Sequence, residues 1–183
     1  MKVKRPEVGL IRPTAALREA FLQALTESDR HDGAGIETLQ GPEDFEAWIE
    51  LLNAEEHTPQ QPGHVTCSYW WITDGADYLG AIALRHELNE YLYNFGGHVG
   101  YSVRPAYRRR GIASEALRQV VTRAHERGME RLLLTCDSDN IGSQRTIVAN
   151  GGVLEDTRQR ADGAVTLRYW ITTDTGLALS KTH

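Results

Sequence analysis

The segment from Gly100 to Leu117 constrains the fold more than any other part of the chain. It reads GYSVRPAYRRRGIASEAL: a short apolar strand, a turn that begins at Pro105, three consecutive arginines, Gly111 and an amphipathic helix. The first backbone N–H groups of a helix have no intrahelical partner and lie at the positive end of the helix dipole. Because glycine lets a ligand approach the backbone without a Cβ in the way, the pattern predicts a phosphate-binding site.

The distribution of charge agrees with an anionic ligand at this segment. The 183-residue chain has a formal net charge of -5, yet residues 104–131 hold eight arginines and three acidic residues. Twelve basic and 22 acidic residues remain elsewhere, a formal charge of -10. One basic segment on an acidic body suits an anionic cofactor on one side and a cationic substrate on the other. It disfavours nucleic acid as a partner, since the basic residues form one local cluster without interleaved aromatic residues.

The composition is that of a soluble globular protein with one domain, residues 1–183, with 40% hydrophobic and 25% charged residues. No apolar stretch approaches the ~18 residues that span a membrane. Residues 8–11 are too short for the core of a signal peptide, so we expect a cytoplasmic protein. Cys67 and Cys136 form no C-x-x-C pair, and we expect two buried thiols rather than a disulfide or a zinc site.

The hydrophobic pattern predicts an α/β (α+β) fold, a mixed sheet with helices on both faces. The predicted elements are a strand at 8–12, a helix from 13, a loop at 28–35, a helix from 41, a hairpin of strands at 64–72 and 78–85, an ambiguous segment at 86–95, a strand at 98–104, a helix from 112 to 127, a strand at 132–136, a helix at 141–149 and strands at 153–158 and 165–172. The strand that holds Tyr101, its helix and the strand from Leu132 form one right-handed crossover, which makes those two strands parallel. We expect the ligand mouth beyond their C-terminal ends.

Several site motifs are excluded by spacing. The chain has no G-x-x-x-x-G-K-[ST] phosphate loop, and its single glycine in the turn does not make a G-x-G-x-x-G dinucleotide fingerprint. His86-Glu87 begins like the zinc-binding motif H-E-x-x-H, but Glu90 stands where the second histidine is required. No metal site is therefore predicted.

A third kind of phosphate loop does match. The residues R-R-R-G-I-A from Arg108 to Ala113 fit the signature [QR]-x-x-G-x-[GA] of the GNAT family of N-acetyltransferases, with a strand ahead and a helix behind. Asn140, Ser143 and the glycines that follow the short helix look like that family's motif B. The chain thus resembles the GNAT family over about residues 78–158, the expected acetyl-CoA-binding core.

The resemblance implies a mostly antiparallel twisted sheet with a central parallel strand pair and an acetyl-CoA-dependent N-acetyltransferase. The acetyl group would pass to a primary amine of a small molecule or a protein, by direct attack through a tetrahedral intermediate. Acetyl-CoA would be the co-substrate and no metal would be needed; the resemblance allows a homodimer. The alternative is a non-catalytic acyl-CoA-binding or sensor module. A further alternative is a transferase that uses a different acyl chain.

The resemblance also implies the residues that bind coenzyme A. The pyrophosphate would lie on the backbone N–H groups of six consecutive residues, with Arg108 and Arg110 near it: Arg109, Arg110, Gly111, Ile112, Ala113 and Ser114. The pantetheine arm would pair like an extra strand with the backbone of Tyr101, Ser102 and Val103. Asn140 and Ser143 would contact the arm from the other side, and helix capping is the alternative role of Asn140.

The resemblance also suggests where the catalytic groups lie. In the family a main-chain N–H of the strand before the turn stabilises the oxyanion, which here falls at Ser102 or Val103. The family's usual acid, a tyrosine seven residues after the motif B asparagine, is replaced by Ile147, and Tyr101 and Tyr107 are candidate substitutes. His98 is the candidate base, because a neutral imidazole suits this pH range and strand alternation places it on the same face as Ser102. A hydrogen-bonded structural histidine is the alternative.

Three residues outside the core motifs are candidates for binding the acceptor. Arg85 and His86 end the strand that precedes the His98 strand. Trp70 lies in an aromatic strand segment and would line an acceptor pocket, with core packing as its alternative role.

Overall fold

The computed structural model describes residues 7–27 and 44–174. The described elements are, in chain order, β1 (Gly9–Ile11), α1 (Arg18–Glu27), α2 (Phe45–Ala54), β2 (Cys67–Thr73), β3 (Tyr78–Arg85), β4 (Val99–Val103), α3 (Ile112–Glu126), β5 (Arg131–Asp137), α4 (Ile141–Ala149), β6 (Val153–Gln159) and β7 (Val165–Thr172). Short 3-10 turns occupy Ala15–Leu17 and Pro105–Tyr107, and the ambiguous segment contains a π-helical turn at Leu92–Gly96. The loop predicted at 28–35 and the predicted helix start at 41 lie outside the described residues.

The strands form two sheets. The first is antiparallel in the order β1-β2-β3-β4, and the second is antiparallel in the order β5-β7-β6. The mixed α+β class and the mostly antiparallel pairing are thereby confirmed. The central parallel pair is not confirmed, since within the described residues β4 and β5 belong to different sheets and are joined by hydrogen bonds between His98 and Leu133.

Alternation along β2 explains how the first sheet is covered on both faces. Trp70 and Ile72 join the large core that α3 and the second sheet also enter. Trp71 points to the other face and stacks on Phe21 of α1, with ring centroids 5.2 Å apart and planes 7° from parallel. Phe45 of α2 joins the same aromatic cluster. The helices therefore cover both faces, as the sequence predicts.

Helix α3 connects the two sheets through one apolar stripe. Its buried side chains recur at helical spacing and all belong to the large core: Ile112, Ala116, Leu117, Val120, Val121 and Ala124. A left-handed glycine stands at each end, Gly111 with φ +78° and Gly128 with φ +80°. The helix thus has the limits that its sequence predicts, and its first turn is fixed at the end of β4. None of the helices in residues 7–27 and 44–174 is both long and apolar enough to cross a membrane.

Candidate active site

A cleft of about 650 Å³ lies between the end of β4, the first turn of α3 and the first turns of α4. Its walls are formed by Tyr101, Ser102, Val103, Tyr107, Arg108, Arg109, Gly111, Ile112, Ala113, Ser114, Asn140, Ile141, Gly142, Ser143, Arg145 and Thr146. The structure therefore brings together every residue that the sequence analysis assigns to coenzyme A except Arg110. The described residues of the wall include no carboxylate and no histidine.

The turn before α3 presents backbone donors to this cleft. Arg109 has φ +60° and Gly111 has φ +78°, so left-handed residues precede the helix. The helical hydrogen bonds begin with Glu115 N–H donating to the Gly111 carbonyl at 3.0 Å, and among the described residues no side chain caps the first turn. The N–H groups of the first turn therefore face the cleft, an arrangement that binds anions. It fits the pyrophosphate of coenzyme A.

The arginines of the turn have different roles. Arg108 donates through Nε to the carbonyl of Val103 at 3.0 Å and so holds the turn against the end of β4. Arg110 lies over the ring of Tyr107 with its guanidinium carbon 5.4 Å from the centroid. Tyr107 donates in turn to Asp77 at 2.9 Å, and this fixes the turn to the β2–β3 connection.

The opposite wall of the cleft begins at the cap of α4. The Asn140 side chain accepts a hydrogen bond from the Ser143 N–H at 3.0 Å, so Asn140 is the helix cap and also lines the cleft. The hydroxyl of Tyr101 crosses from β4 and donates to the Ser143 Oγ at 3.2 Å. Burial raises the pKa of Tyr101 to about 12. A protonated phenol therefore stands in the cleft, whereas Ile147 is buried in the core with 1% of its surface exposed.

Backbone geometry determines which groups of β4 are available to a ligand. Arg85 N–H donates to the His98 carbonyl and Arg104 N–H to the Leu79 carbonyl, and these bonds mark the hydrogen-bonded pairs of the β3–β4 ladder. Since such pairs alternate along an antiparallel ladder, the N–H of Ser102 is directed at its partner Ala81. The N–H groups of Tyr101 and Val103 point away from β3. The oxyanion donor that the sequence analysis places at Ser102 or Val103 is therefore better assigned to Tyr101 or Val103.

His98 stands at the closed end between the two sheets and outside the cleft wall. Its residue surface is 8% exposed, and its Nδ1 accepts a hydrogen bond from Leu133 N–H at 2.8 Å. Burial, reinforced by the nearby charge of Arg85, lowers its pKa to about 4. These contacts fit the alternative given in the sequence analysis, a hydrogen-bonded structural histidine, better than a base that accepts a proton from the amine.

The three candidate acceptor residues do not meet at the cleft either. Trp70 is buried against α3, with the guanidinium groups of Arg12 and Arg123 over its ring. It therefore packs in the core, which is the alternative to lining an acceptor pocket. Arg85 donates to the carbonyls of the 96–97 turn at 3.4 and 3.3 Å. The ring of His86 lies between the hydroxyls of Thr66 and Ser68, each 2.8 Å away. Strand alternation alone does not show which face each of these residues occupies in the assembled sheet.

Sequence reasoning missed four cleft residues, all in α4: Ile141, Gly142, Arg145 and Thr146. The α4 members follow Asn140 within two helical turns. The phase of that helix after its cap is the signal that could have identified them.

The two cysteines are buried and unpaired, as predicted. Burial raises the pKa of Cys67 to about 12 and that of Cys136 to about 11, so both thiols stay protonated at neutral pH. Within the described residues no group of three or more His, Cys, Asp or Glu side chains could hold a metal ion.

The lowered pKa of His98 predicts how stability depends on pH. The unfolded chain takes up a proton on this side chain near pH 6.5, whereas the folded chain does so only near pH 4. Its contribution to the free energy of unfolding is therefore present above pH 6.5 and is lost as the pH falls to 4. We expect the decrease in Tm between pH 7 and 5 to be smaller in His98→Asn than in the wild type, measured by thermal unfolding at each pH. Equal decreases in the two proteins would contradict the low pKa.

A helix start that suits an anion, beside a cleft between β4 and α4, is the arrangement of an acetyltransferase that uses coenzyme A. The family model of the acetyltransferase (GNAT) domain matches residues 8–153. The chain belongs to the GNAT family, whose members are N-acetyltransferases with acetyl-CoA as co-substrate. No curated protein sequence matches the chain.

Solved structures with the same fold cover nearly the whole chain. The microcin C7 self-immunity acetyltransferase MccE, in complex with acetyl-CoA and AMP, has a TM-score of 0.68 and 16% identity over 91% of this chain and 92% of its own. A spermidine N-acetyltransferase chimera of Vibrio cholerae SpeG and hSSAT has a TM-score of 0.61 and 15% identity, with 91% and 96% covered. The acetyltransferase from Agrobacterium tumefaciens strain C58 has a TM-score of 0.60 and 20% identity, with 91% and 92% covered. These identities show the shared fold and leave the acceptor open.

Proposed function

We propose that this acetyltransferase moves the acetyl group of acetyl-CoA to a primary amine by direct attack in the cleft between β4 and α4. The observation that carries the proposal is the uncapped first turn of α3, whose backbone donors face a cleft that the edge of β4 also lines. Such a cleft suits a ligand with a diphosphate at one end and an amide-containing arm behind it.

Different residues of the cleft bind different parts of acetyl-CoA. The N–H groups of Ile112, Ala113 and Ser114 hold the pyrophosphate, where the helix dipole favours negative charge. The outward backbone groups of Tyr101 and Val103 pair with the amides of the arm, as an added strand would. When bound, acetyl-CoA supplies a thioester, an acyl group already activated for transfer.

The same backbone and one side chain supply the chemistry. The N–H of Tyr101 or Val103 donates to the carbonyl oxygen of the acetyl group as negative charge develops on it. The phenol of Tyr101 donates a proton to the departing sulfur, since its raised pKa keeps it protonated through the working pH range. In this protein Tyr101 would thus replace the acid that Ile147 cannot provide.

The wall of the cleft, among the described residues, offers no carboxylate and no histidine to accept the proton of the amine. We propose that water accepts it. The value of kcat/KM is then expected to rise with pH up to the pKa of the acceptor amine itself. Two amines with different pKa values, assayed across pH 6 to 10, test this, and a shared inflection near pH 6.5 would point to a histidine base instead.

The acceptor is proposed as a cationic amine of a small molecule or a protein, since the chain outside residues 104–131 has a formal charge of -10. Among the related structures, one acts on spermidine and one confers immunity to microcin C7, so the shared fold accommodates different acceptors. A panel of amines, assayed by the release of the coenzyme A thiol, identifies the class.

A non-catalytic acyl-CoA sensor is the second candidate, because Ile147 is buried in the core at the position of the family's usual acid. Calorimetry with acetyl-CoA and the amine panel separate the two functions. Binding together with thiol release that depends on the amine supports the transferase. Binding without turnover on any amine supports the sensor, and absence of binding contradicts both.

A further inference from the structure

His98 lies where the edges of the two sheets meet. Among the described strands, β4 is at the edge of the first sheet and β5 is at the edge of the second. The main-chain N–H of His98 donates to the Leu133 carbonyl at 2.7 Å, and the Leu133 N–H donates back to the His98 Nδ1 at 2.8 Å. The imidazole nitrogen thus accepts the Leu133 N–H, which a main-chain carbonyl of β4 would accept if the two sheets were one continuous ladder.

The chain before His98 is shaped for this close approach. Gly97 has φ +65°, and a Cβ at this position would lie 2.7 Å from the Leu133 carbonyl oxygen. A side chain at residue 97 would therefore push the two edges apart. The carbonyl of His98 accepts a hydrogen bond from Arg85 N–H at 2.7 Å, which ties the same residue to β3.

The ring is also held from the side of the second sheet. Trp170 of β7, the neighbour of Leu133 across the β5–β7 ladder, contacts the imidazole edge to face with centroids 6.3 Å apart. His98 therefore contacts β3, β5 and β7 directly while it leads into β4. Beyond this junction β4 runs on to Tyr101 and Val103, whose outward backbone groups line the cleft.

We propose that His98 is a positioning residue, whose neutral imidazole joins the two sheets at the closed end of the cleft and so sets the separation of β4 and α4. Nδ1 accepts a hydrogen bond from a backbone N–H, and the proton of the neutral ring is on Nε2. A base that used Nδ1 would break the junction each time it accepted a proton. This inference rests on the proposed acetyl-CoA site, but it concerns the shape of the cleft and not the reacting atoms.

Two variants distinguish positioning from base catalysis. In His98→Asn the side-chain oxygen can take the place of Nδ1 and accept the Leu133 N–H, yet an amide cannot act as a base. In His98→Leu the volume is nearly kept and the acceptor is lost. We expect His98→Asn to keep the acetyl-CoA Kd and kcat within about threefold of the wild type. We expect His98→Leu to bind acetyl-CoA about tenfold more weakly, a loss of about 1.4 kcal/mol.

Acetyl-CoA binding is measured by calorimetry, which needs no amine, so failure of this inference is separate from failure of the proposed reaction. If His98→Leu does not fold, the test rests on His98→Asn alone. An acetyl-CoA Kd and a kcat within about threefold of the wild type support the positioning role, and weaker binding or slower turnover overturns it. Nitrogen NMR of the wild-type imidazole gives an independent readout. A ring protonated on Nε2 that does not titrate between pH 5 and 8 supports the junction, and titration near pH 6.5 overturns it.

Discussion

Replacement of Gly111 by glutamate is expected to weaken acetyl-CoA binding at least 100-fold, about 2.7 kcal/mol. Gly111 has φ +78° directly before the uncapped first turn of α3, so a side chain there is strained and stands at the cleft. A carboxylate at this position would repel the pyrophosphate and compete for the same N–H groups. Calorimetric titration with acetyl-CoA measures the loss.

The other end of the same helix provides a matched control. Gly128 has φ +80°, and a Cβ there would meet nothing within 4 Å. Gly128→Glu therefore adds the same charge and a similar conformational strain of about 1–2 kcal/mol, but far from the cleft. We expect it to lower Tm by a few degrees and to leave acetyl-CoA binding unchanged. A Gly111→Glu protein that binds as tightly as Gly128→Glu would show that the pyrophosphate does not lie at this turn.

The phosphate turn could be predicted from sequence because its determinants are local. A strand, a glycine and an amphipathic helix within 18 residues fix the position of Gly111 with respect to the first turn of α3. The same holds for Asn140, whose capping bond joins it to Ser143, three residues away. Most elements of the fold were likewise predicted from periods of two and 3.6 residues, which need no knowledge of distant partners.

The roles of His98 and Trp70 could not be predicted from local sequence patterns. Alternation along a strand gives two faces but does not say what covers each face. The partner of His98 is Leu133, 35 residues away in another sheet, and the ring of Trp70 is covered by Arg12 and Arg123 from opposite halves of the chain. Both roles depend on how the sheets and α3 assemble.

The group that replaces the family's usual acid also could not be identified from the sequence alone. The sequence places Ile147 at the position of the family's tyrosine and suggests Tyr101 as one substitute, but Tyr101 belongs to a strand and Ser143 to a helix. Only the position of α4 across the cleft from β4 shows that the phenol reaches the helix, at 3.2 Å from the Ser143 Oγ. The assignment of Tyr101 as the acid is therefore a structural proposal, and it makes a sharp kinetic prediction.

Tyr101→Phe is expected to lower kcat about 100-fold and to leave the acetyl-CoA Kd within a few-fold of the wild type. The substitution removes the proton donor to the departing sulfur, and proton transfer of this kind contributes about 10²–10⁴ in rate. It keeps the aromatic ring and the main-chain N–H, so the pairing of β4 with the pantetheine arm and the stabilisation of the oxyanion remain. Steady-state kinetics with a saturating amine and calorimetry with acetyl-CoA separate the two effects.

Tyr169→Phe is the matched control, because Tyr169 is a strand tyrosine in the large core, against which Tyr101 also packs, but it does not line the cleft. Its hydroxyl should be dispensable for turnover. Burial raises the pKa of Tyr101 to about 12. Loss of the Tyr101 hydroxyl should therefore lower kcat by the same factor throughout pH 6 to 9 and add no inflection to the pH–rate profile. Wild-type kcat in Tyr101→Phe would mean that the sulfur takes its proton from water, and Tyr101 would then serve the cleft through its backbone alone.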